Sequence, residues 1–401
     1  MRTEQKGRDV VQNLLKKHPW FILAAGAAIQ ILTGIPSAWG AFQKPVGTEY
    51  GFSAEQTALA FSFIICFFGI GCVLGGLLQD RFGPRTAGLC GSALLAIGFL
   101  SAGWWLPAEK PILFYTCFSA PVGLGCAFLY PAVMSCAQKW YADRKGLATG
   151  VIGGAVGLSG AALTLLVRGF NSLFGIRPAL CLLGAILGIV CGAGSLFLHN
   201  PPAPPQQKTA EDVSLKDMLK SKQYRLLFFI TCLATPSVLL FSPKIVEMAQ
   251  ERGLSEAVGL SFVWAGSLSS AAGRLSMAAL SDHIGRRKTD CILFAALAGL
   301  SVLFFWAQGW WMLAVYCLLT FCYSGEAAVL PSLVTDLFGQ KQAGIHYGFV
   351  SLGMSTGSLL FPIAANAFHL QTARHWLAAA AALGGFLLLL RLKPLREGQR
   401  I

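Results

Sequence analysis

The stretch Trp264–Lys288, WAGSLSSAAGRLSMAALSDHIGRRK, begins as an apolar helix and ends in a basic turn. Arg274 lies in its middle, and the next charged residue, Asp282, follows eight positions later. Eight helical residues rise roughly 12 Å, so Arg274 lies near the centre of a bilayer if Asp282 marks its surface. An arginine there costs roughly 2.5–3.5 kcal/mol, which favours a position facing an interior cavity. The arginine either binds an anion in a transport pathway or snorkels and braces two helices.

The composition assigns the chain to the membrane proteins. Hydrophobic residues make up 55% of the 401 positions and charged residues only 12%, against about 25% charged residues in soluble domains. The apolar residues form blocks about 20 residues long, each sufficient to cross a bilayer as a helix. Residues 1–18 are polar and basic and the first block is full length, so we expect no cleavable signal peptide.

Several chemical classes are not expected. The twelve cysteines are scattered singly, without CxxC or Cys/His ligand spacing, so we predict packing residues and neither disulfides, a metal nor a cofactor. No GxxxxGK[ST] motif is present, which argues against ATP-driven transport. We therefore expect a protein that is not an enzyme.

The pattern predicts an all-α membrane protein with twelve transmembrane helices. These spans run near 20–43, 54–78, 87–106, 111–137, 147–169, 177–198, 224–248, 256–280, 289–308, 310–335, 344–368 and 375–392. A proline-rich linker separates the sixth span from the seventh. The predicted domains are an N-terminal six-helix half at 1–199, a cytoplasmic linker at 200–222 and a C-terminal six-helix half at 223–401.

The two halves repeat each other at an offset of 200 or 202 residues. The matching pairs are Gly34–Lys44 with Ala234–Lys244, Gly75–Arg85 with Met277–Arg287, and Gly125–Pro131 with Gly325–Pro331. Three ordered matches at one spacing indicate a parallel repeat. Such pseudo-symmetric halves are typical of carriers that rock around a central cavity.

The basic residues predict the orientation. If both termini are cytoplasmic, that side carries 23 of the 31 basic residues, as the positive-inside rule requires. The net charge of +13 is then an orientation signal, and we expect no nucleic-acid partner. We expect a multi-pass plasma-membrane protein, in a bacterium the inner membrane, that contacts lipid and functions as a monomer.

The loop after the second span carries the first family resemblance. Asp80-Arg81-Phe82-Gly83-Pro84-Arg85, with its echo at Asp282–Arg287, resembles the loop signature of the major facilitator superfamily, and the resemblance covers the whole chain. Carboxylates paired with loop arginines at helix ends can latch one face of such a carrier shut. The resemblance therefore implies gating roles, with ordinary surface salt bridges as the alternative, for Asp80, Arg81, Arg85, Asp282, Arg286 and Arg287.

A narrower resemblance is to the oxalate/formate antiporter and monocarboxylate transporter branch. It rests on Thr33–Val46, on Tyr130–Gly150 with its KWYADRKGLATG core, and on Gly273-Arg274. It implies transport of small carboxylates such as lactate, pyruvate, formate or oxalate. It also implies that Arg274 holds the substrate carboxylate, for which a guanidinium offers a bidentate fork.

Two positions depart from that branch. Met354 stands where oxalate/formate antiporters carry a second cation, after the Tyr-Gly that matches Tyr347-Gly348. Ser270 stands where animal monocarboxylate transporters carry an aspartate one turn before the arginine. One cation suits one carboxylate, so we expect monoanions to be preferred over oxalate.

Glu326 is the predicted proton-coupling residue. Of the acidic residues, it alone is predicted deep within an apolar span. Ten residues, roughly 15 Å of helix, separate it from Asp336, which places it at the depth of Arg274. A carboxyl that alternates between protonated and ionised states near an arginine can couple proton and anion movement. The alternatives are a structural ion pair with Arg274 or a neutral carboxyl held by backbone hydrogen bonds.

Three aromatic residues complete the predicted site. Tyr130 precedes the Pro131 of the repeated turn, and Tyr323 lies one turn before Glu326 on the same helix face. Their phenol hydroxyls are suited to bind a small hydroxy- or keto-acid. Trp39, close to Pro36, is expected to line the cavity wall. Packing or interfacial roles are the alternative for all three.

The sequence thus predicts a secondary active transporter of lactate- or pyruvate-like monocarboxylates that couples to protons and works by alternating access. Three other functions stay open. The protein is otherwise an oxalate/formate-type anion exchanger, a carboxylate sensor that keeps the fold without transport, or a carrier of neutral solutes. A carrier of neutral solutes would have no function for Arg274.

Overall fold

The computed structural model describes residues 18–141, 145–201, 213–339, 342–367 and 373–392. These residues form twelve long helices, which confirms the predicted fold class. The helices are α1 Trp20–Tyr50, α2 Ala54–Phe82, α3 Pro84–Trp104, α4 Pro111–Trp140, α5 Lys145–Phe174, α6 Ile176–Ser195, α7 Lys222–Glu251, α8 Glu256–Ile284, α9 Arg286–Trp306, α10 Gly309–Phe338, α11 Ala343–Ala367 and α12 Ala373–Arg391. A short helix, Leu215–Lys220, precedes α7.

Eleven of the described helices are long and apolar enough to cross a membrane. The exception is α8, which has 29 residues like α2 but carries Arg274 and several serines. It packs against α5 and α10, so protein surrounds part of its polar side chains. A membrane helix tolerates a charged side chain under that condition.

The helices form two six-helix halves, each with its own core. One buried hydrophobic cluster is drawn from residues 22–198 and the other from residues 218–392. The halves meet mainly where α2 packs on α11 and where α5 packs on α8. Residues 202–212 of the predicted linker lie outside the described residues, and the domain boundaries stay a prediction.

Two helices are interrupted at equivalent positions of the repeat. The first segment of α1 ends before Gly34, and the first segment of α7 ends at Ala234, 200 residues later. A proline follows each break, at Pro36 and Pro236, where its missing N–H costs nothing in the first turn of a new segment. A Cβ at Gly34 would lie 1.6 Å from the Ser159 hydroxyl, so this close approach of α1 and α5 requires glycine.

The halves touch at both ends of the space between them. At one end, a Cβ at Gly76 of α2 would lie 2.8 Å from the backbone of Gly344 in α11. At the other end, Lys44 of α1 binds Glu256 of α8 at 2.9 Å. Small residues permit the first contact, whereas the second is an exposed ion pair worth about 0–1 kcal/mol. A central space is therefore bounded from both sides.

Candidate substrate cavity between the halves

A cavity of about 160 Å³ lies between the two halves. The interrupted helices α1 and α7 and the inter-half helices α2, α5, α8 and α11 all contribute to its wall, together with α4 and α10. Sites for drug-sized ligands measure roughly 300–1,000 Å³. This cavity is therefore suited to a molecule of a few heavy atoms.

Arg274 is the only charged residue among the described residues that line the cavity. Its Nε is buried and has no hydrogen-bond partner in the described part of the chain. Its aliphatic stem runs past Gly153 of α5, where a Cβ would lie 3.5 Å from the Arg274 Cβ. Its guanidinium lies beside the Tyr130 hydroxyl. No carboxylate among the described residues comes within ion-pair distance of it, so the cation is free to accept an anion.

Both predicted tyrosines line the cavity, together with two that were not predicted. Tyr130 of α4 and Tyr323 of α10 are joined by Tyr316 of α10 and Tyr347 of α11. The Tyr323 hydroxyl donates to the Met354 sulfur at 3.8 Å. Met354 therefore faces the cavity as well.

Neutral polar groups complete the wall. The hydroxyls of Ser270 and Ser324 bond each other at 2.6 Å across α8 and α10. In α1, Thr33 donates to the Gln30 side-chain oxygen at 2.8 Å. Gln30 thus bonds within its own helix instead of a neighbouring one, and its amide nitrogen is buried without a partner in the described residues.

Glu326 lies beside the cavity wall but does not line it. It is 3% exposed, and its Oε1 has no hydrogen-bond partner among the described residues. Arg274 is level with this part of α10, since Gly273 packs on Phe321 and Met277 packs on Gly325. The charges of Arg274 and Glu326 act on each other, yet no ion pair within 4 Å joins these two described residues. The direct ion pair considered as an alternative is therefore not formed.

A second carboxyl is also buried, although it lies near one end of its helix and not deep within an apolar span as Glu326 does. Asp290, in the first turns of α9, is 1% exposed, and its Oδ1 has no partner among the described residues. Sequence reasoning missed it because Asp290 stands at the start of the predicted ninth span, directly after Arg286–Lys288, where a residue at the membrane surface is expected. The helix α9 packs against α8, α10 and α12, and Asp290 is buried within this packing.

Trp39 does not wall the cavity. It is 0% exposed and packs among aromatic rings of the N-terminal half, with ring centroids 6.0–6.4 Å from those of Phe42, Phe61 and Phe118. The break at Gly34 turns the second segment of α1 so that Pro36 and Ser37 face the cavity instead.

The second copy of the loop signature forms an ion-pair cluster within the C-terminal half. Arg286 binds Asp282 at 3.0 Å and also pairs with Asp336 of α10. Arg287 donates to the carbonyls of Leu389 and Leu390 at 2.9 and 2.6 Å. These bonds tie the loop between α8 and α9 to α10 and α12.

The first copy is arranged differently. Asp80 lies beside Gly344 of α11, where a Cβ would be 3.6 Å from its carboxylate oxygen. The Arg81 guanidinium lies 5.2 Å from the Phe82 ring centroid, and Arg85 is half-buried. Within the described residues, none of Asp80, Arg81 and Arg85 forms an ion pair. Residues 142–144 of the KWYADRKGLATG core lie outside the described residues.

Metal chemistry has no support in the described part of the chain. No group of three His, Cys, Asp or Glu residues there could hold a metal ion. The cysteines are all free thiols. The chemistry of the cavity therefore rests on one guanidinium, phenols, hydroxyls and a nearby carboxyl.

Comparison with known sequences identifies relatives of this chain. The model of the Major Facilitator Superfamily matches residues 20–289 and 227–400. The oxalate:formate antiporter of Oxalobacter formigenes is 25% identical over 348 residues, which cover 85% of this chain and 82% of that protein. Monocarboxylate transporter 1 of Rattus norvegicus is 25% identical over 201 residues, covering 50% of this chain and 39% of that protein.

Solved structures share the fold. The fucose:proton symporter of E. coli superimposes with a TM-score of 0.66 at 14% identity, over 92% of this chain and 98% of that one. A proton:xylose symporter gives a TM-score of 0.69 at 13% identity, over 94% and 96%. These relatives and structural neighbours are membrane transporters, and the chain is likewise not an enzyme. The chain belongs to the major facilitator superfamily.

Proposed function

We propose that the protein carries small monocarboxylates, of the size of lactate or pyruvate, across the membrane together with a proton by alternating access. The single observation that carries this proposal is the unpaired Arg274 in a small cavity whose other described lining residues are uncharged. A guanidinium in such surroundings binds a carboxylate through two parallel N–H···O bonds. One carboxylate neutralises one cation, which favours a monoanion.

The cavity suits such a substrate in size and polarity. A volume of about 160 Å³ suits a compact acid. Tyr130, beside the guanidinium, and Tyr323, on the facing helix, offer phenols to a hydroxyl or keto oxygen. The Ser270–Ser324 pair adds hydroxyls at the same level.

The proton role is proposed for Glu326. Its carboxyl is buried beside Arg274 without an ion pair, so the charge of Arg274 that it experiences changes when a substrate anion arrives or leaves. Opposite charge nearby favours the ionised carboxyl, and neutralisation of Arg274 by a substrate favours the protonated one. Substrate and proton therefore bind together, which is symport.

The two halves and the contacts at both ends of the cavity support alternating access. The ion-pair cluster of Arg286 holds the loop of the C-terminal half, and Asp80, Arg81 and Arg85 lie in the corresponding loop of the N-terminal half. We assign these loops to the cytoplasmic side by the positive-inside rule. On this proposal the protein is a monomer, in bacteria an inner-membrane one, with both termini cytoplasmic.

Exchange of one anion for another is the second candidate. It is favoured by the relative with the longer coverage, which is named an oxalate:formate antiporter. An exchanger uses the same arginine but needs no proton residue. The pH dependence of net accumulation separates the two.

Binding and transport are tested with purified protein. A thermal-shift screen of lactate, pyruvate, formate, acetate and oxalate reports ligands that bind the folded state, because such ligands raise the Tm. Ligands that raise the Tm are then radiolabelled and added to proteoliposomes with an acidic exterior. Accumulation that collapses when the pH gradient is dissipated supports symport. Binding without accumulation indicates a sensor, and accumulation only with internal anion indicates an exchanger.

A further inference from the structure

The buried carboxyl of Asp290 has no role in the cavity or in the loop cluster. It does not line the cavity. Nor is it within ion-pair distance of Arg286, whose guanidinium is already bound to Asp282 and Asp336. A carboxyl that is 1% exposed and lacks a partner for one oxygen is costly to keep in a membrane protein. Such a group calls for a functional explanation.

The packing of α9 on α10 brings Asp290 towards Glu326. Gly325, next to Glu326 in α10, packs directly on α9, because a Cβ there would lie 3.3 Å from Leu293. Asp290 precedes Leu293 by three residues, which is one helical turn. The negative charge of Glu326 acts on Asp290, so the two carboxyls are close enough to influence each other. Both are buried, and each has an oxygen without a partner in the described residues.

Asp290 also lies between Glu326 and the surface. One turn before it in α9 is Arg286, half-buried and joined to two exposed carboxylates. The order from the cavity outward is therefore Arg274, Glu326, Asp290 and Arg286. The charged groups on the helices packed around Asp290 at this end are Glu326 and Asp336 of α10, Arg274 and Asp282 of α8, Arg286, Arg287 and Lys288 of α9, and Arg391 of α12.

We propose that Asp290 relays the coupled proton between Glu326 and the surface that carries Arg286. The proton leaves the Glu326 carboxyl, protonates the Asp290 carboxylate and passes to water at that surface, while Glu326 becomes a carboxylate that is reprotonated from the cavity side. The inference rests on the proposed proton symport and adds the exit route of the proton. Asp290 acts on the proton and does not touch the substrate.

The relay predicts a separation between two kinds of transport. Exchange of external for internal labelled substrate needs no net proton release, whereas accumulation on a pH gradient does. In proteoliposomes with labelled lactate, Asp290→Asn is expected to lower gradient-driven accumulation at least tenfold and to leave exchange within twofold of wild type. Asp290→Glu, which restores a carboxyl, is expected to recover at least a third of the accumulation.

Ser301→Ala is the matched control. Ser301 lies on the same helix, is 0% exposed and has an unpartnered hydroxyl in the described residues, but it does not titrate. Its replacement is expected to leave gradient-driven accumulation unchanged. A loss of accumulation in Ser301→Ala equal to that in Asp290→Asn would indicate a packing effect in α9 and overturn the relay.

Glu326→Gln separates failure of the relay from failure of the proposed function. Wild-type accumulation by Asp290→Asn, with loss in Glu326→Gln, overturns the relay and leaves symport standing. Wild-type accumulation by both overturns the proton role of Glu326 itself. If Asp290→Asn does not yield folded protein, Asp290→Glu decides: a relay carboxyl moved by one methylene changes the pH profile of uptake, and an unchanged profile overturns the proposal.

Discussion

Tyr130 of α4 and Tyr347 of α11 meet across the boundary between the two halves, with ring centroids 6.2 Å apart and planes inclined by 36°. Both rings line the cavity, and Tyr130 also lies beside the Arg274 guanidinium. One aromatic pair thus connects the contact between the halves to the cation of the candidate site. We therefore expect occupancy of Arg274 to influence the relative position of the halves.

The Tyr130 hydroxyl is testable separately from its ring. Tyr130→Phe keeps the ring contact with Tyr347 and removes the oxygen beside Arg274. We expect affinity for lactate to fall about fivefold, in line with roughly 1 kcal/mol for one hydrogen bond, as measured by titration calorimetry. Tyr115→Phe is the control, because the Tyr115 hydroxyl, also in α4, donates to the Gln56 carbonyl at 2.9 Å and does not line the cavity. An equal loss in both variants would contradict a specific role for Tyr130.

The paired N–H donors of the Arg274 guanidinium are tested by a substitution that keeps the positive charge. Arg274→Lys retains a cation but not the planar pair of N–H donors. We expect carboxylate affinity to fall at least tenfold, while the Tm of the unliganded protein changes by only a few degrees. Arg274→Ala is expected to lose binding altogether. Retained affinity in both variants would show that the arginine is structural.

A substitution at Met354 tests whether the cavity prefers monoanions to dianions. It faces the cavity and contacts Tyr323, so a lysine at this position adds a second cation to the site. We expect wild type to bind lactate more tightly than oxalate at neutral pH, and Met354→Lys to raise the oxalate-to-lactate affinity ratio at least tenfold. Met354→Leu keeps the volume without the charge and should leave the ratio unchanged. Tighter oxalate binding by the wild type would contradict the monoanion preference.

Closure at the Gly76 end is tested by adding a side chain. A Cβ at Gly76 meets the backbone of Gly344 at 2.8 Å, which no rotamer change relieves. We expect Gly76→Val to reduce transport at least tenfold, because α2 and α11 no longer approach each other, while substrate binding is retained. Gly192→Val is the control, since nothing lies within 4 Å of a Cβ there. Normal turnover by Gly76→Val would show that this contact is not needed.

The fold was largely predictable from the sequence, because apolar blocks and repeats are linear signals. The repeat of Gly34–Lys44 and Ala234–Lys244 even corresponds to the two helix interruptions. The depth of a residue along its helix was also predictable from the sequence. Gly273 and Met277 of α8 pack at the level of Phe321 and Gly325 in α10. A rise of 1.5 Å per residue is sufficient for such an estimate.

The face that each helix presents was not predictable in the same way. Trp39 packs in an aromatic core, and Glu326 is buried beside the cavity without lining it, because tertiary packing sets the rotation of each helix. The burial of Asp290 lacked any signal, since a carboxylate at the start of a span and next to three basic residues is typical of the membrane surface. Tyr316 and Tyr347 were likewise not predicted as cavity residues, because they lie among other aromatic residues of apolar spans. The roles assigned to the cavity residues stay predictions.

Gradient-driven uptake by wild type and Glu326→Gln is the most direct test of proton-coupled monocarboxylate transport. Proteoliposomes receive labelled lactate outside, with an acidic exterior, and exchange against internal lactate is followed in parallel without a gradient. Glutamine mimics the protonated carboxyl and releases no proton. Proton coupling through Glu326 predicts that wild type concentrates lactate and that Glu326→Gln exchanges it but does not concentrate it. Concentration of lactate by Glu326→Gln to the wild-type level would contradict proton coupling through this residue.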